Sequence, residues 1–215
     1  SNVKSINGIY YGLMLAMAIY NLFIFFNIKQ KSYLYYVFYV VSFTMLMMSL
    51  DGFSFQYLWP ESPVWANKSI PFLIGAGFVW GLMFAQSFIH SRDYVPFLHK
   101  SVNFWVAISA LLCMLALVLP YSLSIRVGIF IATFAPIFGF SLVARSYQKG
   151  SRPAAFVLVA FTLFLAGMVV TALNAAGALP VTPLSGSSLQ ITSSFQVLLL
   201  SLGLADRINA LRRRS

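Results

Sequence analysis

Residues 153–176 read PAAFVLVAFTLFLAGMVVTALNAA, 24 positions without one charged side chain. A helix rises 1.5 Å per residue, so this run is about 36 Å long. The hydrocarbon core of a bilayer is about 30 Å thick, and roughly 20 apolar residues cross it as a helix. The stretch has no polar face to turn toward water. It reads as a membrane span, and the rest of the chain follows from it.

Six further apolar runs flank it, at 6–28, 33–50, 69–90, 101–119, 124–145 and, after it, 189–205. Seven spans of this size take about two thirds of the 215 residues, leaving short loops and no room for a separate soluble domain. Composition agrees: 60% of residues are hydrophobic and 8% charged, where a soluble domain carries roughly 25% charged. The expected fold is all-α, a polytopic seven-helix bundle in one domain. The chain opens on Ser1 and closes on Arg212, Arg213, Arg214 and Ser215 in what reads as mid-helix. Both ends are expected to continue in a longer protein, with 206–215 the start of a cytoplasmic signalling helix.

The net charge of +10 would point to nucleic acid in a soluble protein; here it sorts by side of the membrane. Eleven cations fall on one side: Lys29, Lys31, Arg92, Lys100, Arg145, Lys149, Arg152, Arg207 and Arg212 to Arg214. Three, Lys4, Lys68 and Arg126, fall on the other. The positive-inside rule makes the first side cytoplasmic. The N-terminus is then outside the membrane and the C-terminus cytoplasmic. Nucleic acid is not an expected partner; the bilayer is.

Several chemistries lack their residues. Ionisable groups deep in a bilayer cost about 2.5–3.5 kcal/mol on insertion scales and usually mark function. The four acids, Asp51, Glu61, Asp93 and Asp206, all sit at span ends or in loops. Proton-coupled transport has no carrier among them. Every lysine lies at or beyond a span end, which excludes a retinal Schiff base. His90 and His99 bracket one basic loop, where solvation is the default reading and metal binding by two ligands the weaker one. No hydrolase, zincin or phosphate-loop motif is present. No catalytic residue, metal or cofactor is expected in this segment. Cys113 stands alone inside an apolar run and has no partner for a disulfide within the chain.

Uncharged polar residues remain. Gln190, Thr192, Ser193, Ser194 and Gln196 cluster in the outer half of the last span, with Asn174 near the outer end of the sixth and Asn21 in the first. One reading is packing glue between helices. The other is an outward-facing pocket for an unknown small ligand, with Arg126, Asn174, Gln190, Ser194 and Gln196 as polar contacts and Trp80, Tyr57 and Trp59 as an apolar wall; Arg126 would attract an anionic group. Tyr33, Tyr35, Tyr36 and Tyr39 at the basic end of the second span read as an aromatic belt at the headgroup layer, with signalling contacts as the alternative. Gly8 with Gly12 and Gly77 with Gly81 have helix-packing spacing, expected within the bundle or, alternatively, at a dimer contact. Pro136 is expected to kink the fifth span. Leu204, Ile208 and Leu211 have the four-then-three spacing of a seam between paired helices, flanked by Asp206 and Arg207. These five are the candidate signal-transmission residues, and a homodimer through the C-terminal helix is the expected partner arrangement. An interfacial amphipathic helix is the alternative.

Short motifs along the chain carry a resemblance. They are Gly12 with Tyr20-Asn21-Leu22-Phe23, Tyr33-Leu34-Tyr35-Tyr36, Gly52 with Gln56-Tyr57-Leu58-Trp59-Pro60, Gly177-Ala178-Leu179-Pro180, and Leu200-Ser201-Leu202-Gly203-Leu204-Ala205-Asp206-Arg207-Ile208-Asn209. In this order, over nearly the whole chain, the sequence resembles the bacterial seven-transmembrane receptors with diverse intracellular signalling modules. The resemblance implies a bacterial inner membrane, a periplasmic N-terminus and a periplasmic β-sandwich ahead of the first span, binding carbohydrate-like or other small ligands. It implies a histidine kinase or diguanylate cyclase after the last. It assigns no catalytic residue to the membrane part. The function expected is transmembrane sensing. A transporter or channel for a small uncharged or anionic solute is the alternative, against which stand the odd span number and the lack of repeats.

Overall fold

The computed structural model describes the backbone of residues 2–180 and 182–212 and the side chains of 6–180, 182 and 185–208. Nine α-helices form among these residues. They are α1 (Asn2–Ile28), α2 (Lys31–Leu50), α3 (Pro63–Ile89), α4 (Ser91–Tyr94), α5 (Pro96–Val118), α6 (Tyr121–Gln148), α7 (Pro153–Ala175), α8 (Pro183–Gly186) and α9 (Ser188–Arg212), with a turn of π-helix at Ser54–Leu58. Seven of them are long and apolar enough to cross a bilayer. These correspond to the seven expected spans. The main differences are at α3 and α5, which begin six and five residues earlier; α9 runs on from the last span to Arg212, the continuation expected of it.

Local chemistry sets the ends. Proline occupies the first turn of α3, α5 and α7, where its missing N–H costs nothing because the helix leaves that donor unpaired anyway. Gly150 (φ 95) and Gly177 (φ 72) follow α6 and α7 in the left-handed conformation that ends a helix. Helix α6 continues through Pro136 and α3 through Pro71.

Helix α3 is the centre, packed on α2, α5 and α6. Helix α1 lies against α2 and α9, and α9 against α7, which closes the bundle. The α1–α2, α3–α5 and α6–α7 connections, with Lys29, Arg92, Lys100, Arg145, Lys149 and Arg152, share one end, the basic face. The 51–62 and 176–187 connections lie at the far face. Large apolar side chains such as Ile9, Phe23, Phe97 and Val118 point outward, as they do when the solvent is lipid and backbone polar groups are satisfied within helices.

Helices α3 and α5 approach closely at Gly75, where a Cβ would lie 2.7 Å from the Ser109 carbonyl, and α7 and α9 approach closely at two glycines. A Cβ on Gly167 would lie 1.9 Å from Thr192 Oγ1, and one on Gly203 would lie 3.0 Å from Phe156 Cβ. The glycine pairs singled out by spacing behave differently. Gly81 abuts the Tyr39 ring, with Cβ distances from 3.1 Å, whereas a Cβ at Gly8, Gly12 or Gly77 meets nothing within 4 Å. Gly8 and Gly12 are exposed on α1, so packing within the bundle is not what that pair does. Spacing marks a face; only the neighbours decide whether that face is covered.

Candidate functional site

Helices α2 and α9 keep their backbones apart, and tyrosine side chains bridge the gap. Tyr33 donates to the Leu204 carbonyl at 2.8 Å, Tyr36 to the Val197 carbonyl at 2.8 Å, and Tyr39 to Gln196 Oε1 at 2.8 Å. Tyr33 and Tyr36 are completely buried and Tyr39 nearly so. The aromatic-belt reading of these three is thereby overturned. Their spacing of three residues puts them along one side of α2, descending about 9 Å from Tyr33 to Tyr39. A headgroup belt would stay at one level. The depth of Tyr39 was the legible signal. Tyr35 is only partly buried and stacks on Trp80 at 6.1 Å.

Helix α1 adds rungs to the same partner. Asn21 Nδ2 donates to Ser201 Oγ at 3.1 Å, and Asn21 is fully buried. The Tyr10 hydroxyl meets Ser193 Oγ at 3.2 Å. At the far face, Asp51 Oδ2 accepts from Tyr11 at 2.5 Å and from Gln190 Nε2 at 2.9 Å. One carboxylate at the end of α2 therefore ties α1 and α9 together. Being at a span end, it carried no signal in the sequence. At the basic face, Arg207 Nη1 reaches the Phe88 carbonyl at 3.4 Å and Ser32 Oγ at 3.5 Å, with Nη2 3.2 Å from His90 Nε2 and the guanidinium 5.7 Å over the Phe88 ring. Helix α9 is thus held by side chains along its length, from Gln190 to Arg207.

Behind the tyrosines lies a hollow of about 230 Å³ between α2, α3, α6, α7 and α9. Its wall is apolar, including Phe43, Phe164 and Met168, with Gly77 opening onto it and the Tyr39–Gln196 pair on one side. A dry apolar cavity of about 150 Å³ binds benzene, so this one has room for a small hydrocarbon. Leu50 and Leu189 line its far end; each directly precedes a member of the Asp51–Gln190 pair.

The residues expected to form a ligand pocket are not all brought together. Gln190, Ser194 and Gln196 share α9: Ser194 Oγ donates to the Gln190 carbonyl at 2.8 Å, and only Gln196 of the set lines the hollow. Asn174 Nδ2 donates to the Ser185 carbonyl at 2.8 Å beside them, while its Oδ1 and Gln190 Oε1 are buried without a partner. Arg126 is exposed on α6, which packs on α3, α5 and α7 and not on α9. Trp80 turns to Phe38 at 4.7 Å, Tyr57 stacks on Phe53 at 6.3 Å, and Trp59 meets Trp65 edge-on at 6.2 Å. The transmission residues divide similarly. Leu204 is completely buried in the chain's own bundle and Ile208 packs against the same core, so neither is free as a seam for a second helix. Asp206 is exposed. The side chain of Leu211 lies outside the described residues.

A family model described as 7TM diverse intracellular signalling matches residues 4–207. Neither a curated protein nor a solved structure matches the chain.

Proposed function

The chain belongs to the 7TM diverse intracellular signalling family, and from that premise we propose that it is a sensory membrane domain whose ninth helix carries the signal to a cytoplasmic output module. The basic face is the cytoplasmic one by the positive-inside rule. The far face is periplasmic, and the membrane is a bacterial inner membrane. The output module attached beyond α9 is of the histidine kinase or diguanylate cyclase type. Two copies pair through the continuation of α9 past Ile208.

One observation carries the reading: α9 packs on α7 and α1, but α2 reaches it across a gap, by directional hydrogen bonds and not by backbone packing. On the α2 side, no interlocked packing holds α9 in one register, so a movement of α7 and α9 together is opposed there only by hydrogen bonds. Hydroxyl-to-carbonyl bonds of about 0.6 kcal/mol each in a membrane exchange partners readily, so a modest ligand preference for one arrangement shifts the population. The signal enters at the far face, in a preceding periplasmic domain or in the bundle, and leaves along α9 past Arg207.

The test is output from the full-length protein in cells. Tyr36→Phe and Asn21→Leu are expected to alter basal kinase or cyclase output several-fold at unchanged protein level. Output indifferent to both, together with solute flux in proteoliposomes, would replace the receptor by the transporter reading.

A further inference from the structure

A second hollow, of about 360 Å³, lies between α6 and α7. Thr133, Pro136 and Ile137 line it from α6, and Leu165, Val169 and Ala172 from α7. Ile137 and Val169 are each 56% exposed, so this hollow opens toward the hydrocarbon of the bilayer. Ala132 and Met168 line both it and the inner hollow. A methyl group and a flexible thioether are thus the side chains common to the two linings. Methionine has three rotatable bonds and adapts easily. Pro136 has no N–H, so the Ala132 carbonyl lacks its intrahelical donor and α6 is weakest at the wall.

Arg126 stands seven residues before Thr133. That is two turns, on the same face of α6 and about 10 Å nearer the far face. Its side chain is exposed. A cation above an apolar cleft of this depth complements an amphiphile with an anionic head and a hydrocarbon tail.

We infer that the bundle binds an acyl chain carrying an anionic head group, taken laterally from the bilayer. The head sits at Arg126, the chain runs down the α6–α7 cleft, and its end passes Met168 into the inner hollow. By scaling from a 150 Å³ cavity that holds benzene, the inner hollow takes roughly the last eight or nine carbons. Met168 directly follows Gly167, where α7 touches Thr192 of α9. Displacing the wall therefore acts beside the Gly167–Thr192 contact between α7 and α9. That occupancy serves as a signal rests on the receptor reading; the binding itself does not.

The experiment uses the full-length protein in phosphatidylcholine vesicles with trace palmitic acid bearing a diazirine near its methyl end. After illumination, adducts are mapped by mass spectrometry. Expected are adducts at Phe164 and Met168 at least tenfold above those at Phe23, which faces lipid on α1. Gly77→Phe fills the inner hollow from a position with free space and should lower the Phe164 adducts at least tenfold while sparing Val169. Arg126→Gln should reduce labelling by the acid several-fold and leave labelling by the matching diazirine alcohol unchanged. The label carried on phosphatidylglycerol distinguishes a phospholipid from a free acid, and cavity adducts from either support the site. Adducts no denser at Phe164 and Met168 than at Phe23, or unmoved by Gly77→Phe, overturn the site. Equal effects of Arg126→Gln on acid and alcohol overturn the anionic head. Cavity labelling with cytoplasmic output unchanged by the acid keeps the site and counts against the receptor reading.

Discussion

Replacing Tyr33, Tyr36 and Tyr39 by Phe, singly, tests the bridge between α2 and α9 at the level of individual atoms. Each change removes one hydroxyl and keeps the ring, so packing is conserved and only a hydrogen bond is lost. The acceptors differ. Leu204 and Val197 offer backbone carbonyls inside α9, and a helical carbonyl already accepts from the N–H four residues on. Losing the tyrosine orphans nothing there. The cost should be near the membrane average of about 0.6 kcal/mol each. Tyr39 instead satisfies Gln196 Oε1, on a side chain that is 4% exposed. Its removal leaves a buried side-chain acceptor bare, at about 1–3 kcal/mol. The order expected is therefore Tyr39→Phe worst, with Tyr33→Phe and Tyr36→Phe milder and similar. The triple variant should lose about 2–4 kcal/mol, or roughly 30- to 1000-fold in the equilibrium, if the three act independently. Denaturing-detergent titration in mixed micelles, followed by tryptophan fluorescence, measures this. Tyr39→Phe costing no more than Tyr36→Phe, or all three within error of wild type, would refute the reasoning.

Other expectations concern the same bundle. Gly167→Ala places a methyl 1.9 Å from Thr192 Oγ1 and should cost about 1–3 kcal/mol by overpacking; combining it with Thr192→Ala should recover part, read as a coupling in a double-mutant cycle. Gly8→Leu and Gly12→Leu meet open space and should change monomer stability by less than about 0.5 kcal/mol in the same titration. Arg207→Ala removes the contacts to Phe88, Ser32 and His90. It should raise amide exchange in 204–208 at least fivefold by hydrogen–deuterium exchange, with α5 unchanged.

The membrane setting and the seven helices were legible in the sequence because lipid imposes one composition on every span. Residues 153–176 admit no other reading, and the charges at the basic face follow from the same solvent. Proline and glycine marked several helix ends for steric reasons that act within one turn. What the linear order left open was which helix each face would meet. Tyrosines three apart mean a belt or a buried row alike, and burial came only from α9 standing opposite α2. Gly8 and Gly12 have the spacing of a packed pair but face outward, while Gly167, not singled out by spacing, sits against Thr192 of α9 with no room for a methyl group. Leu204 has seam spacing yet is consumed by the bundle, because α2, α3 and α7 surround that turn of α9, with Tyr33 on its carbonyl and Phe88 and Phe156 against neighbouring Gly203. Asp51 looked like a loop acid until α1 and α9 brought Tyr11 and Gln190 to it. Local chemistry acts over one turn of helix and is written in consecutive residues. The hollow between five helices and the hydrogen bonds that hold α9 join residues up to 183 positions apart, and only the packing of whole helices sets those distances.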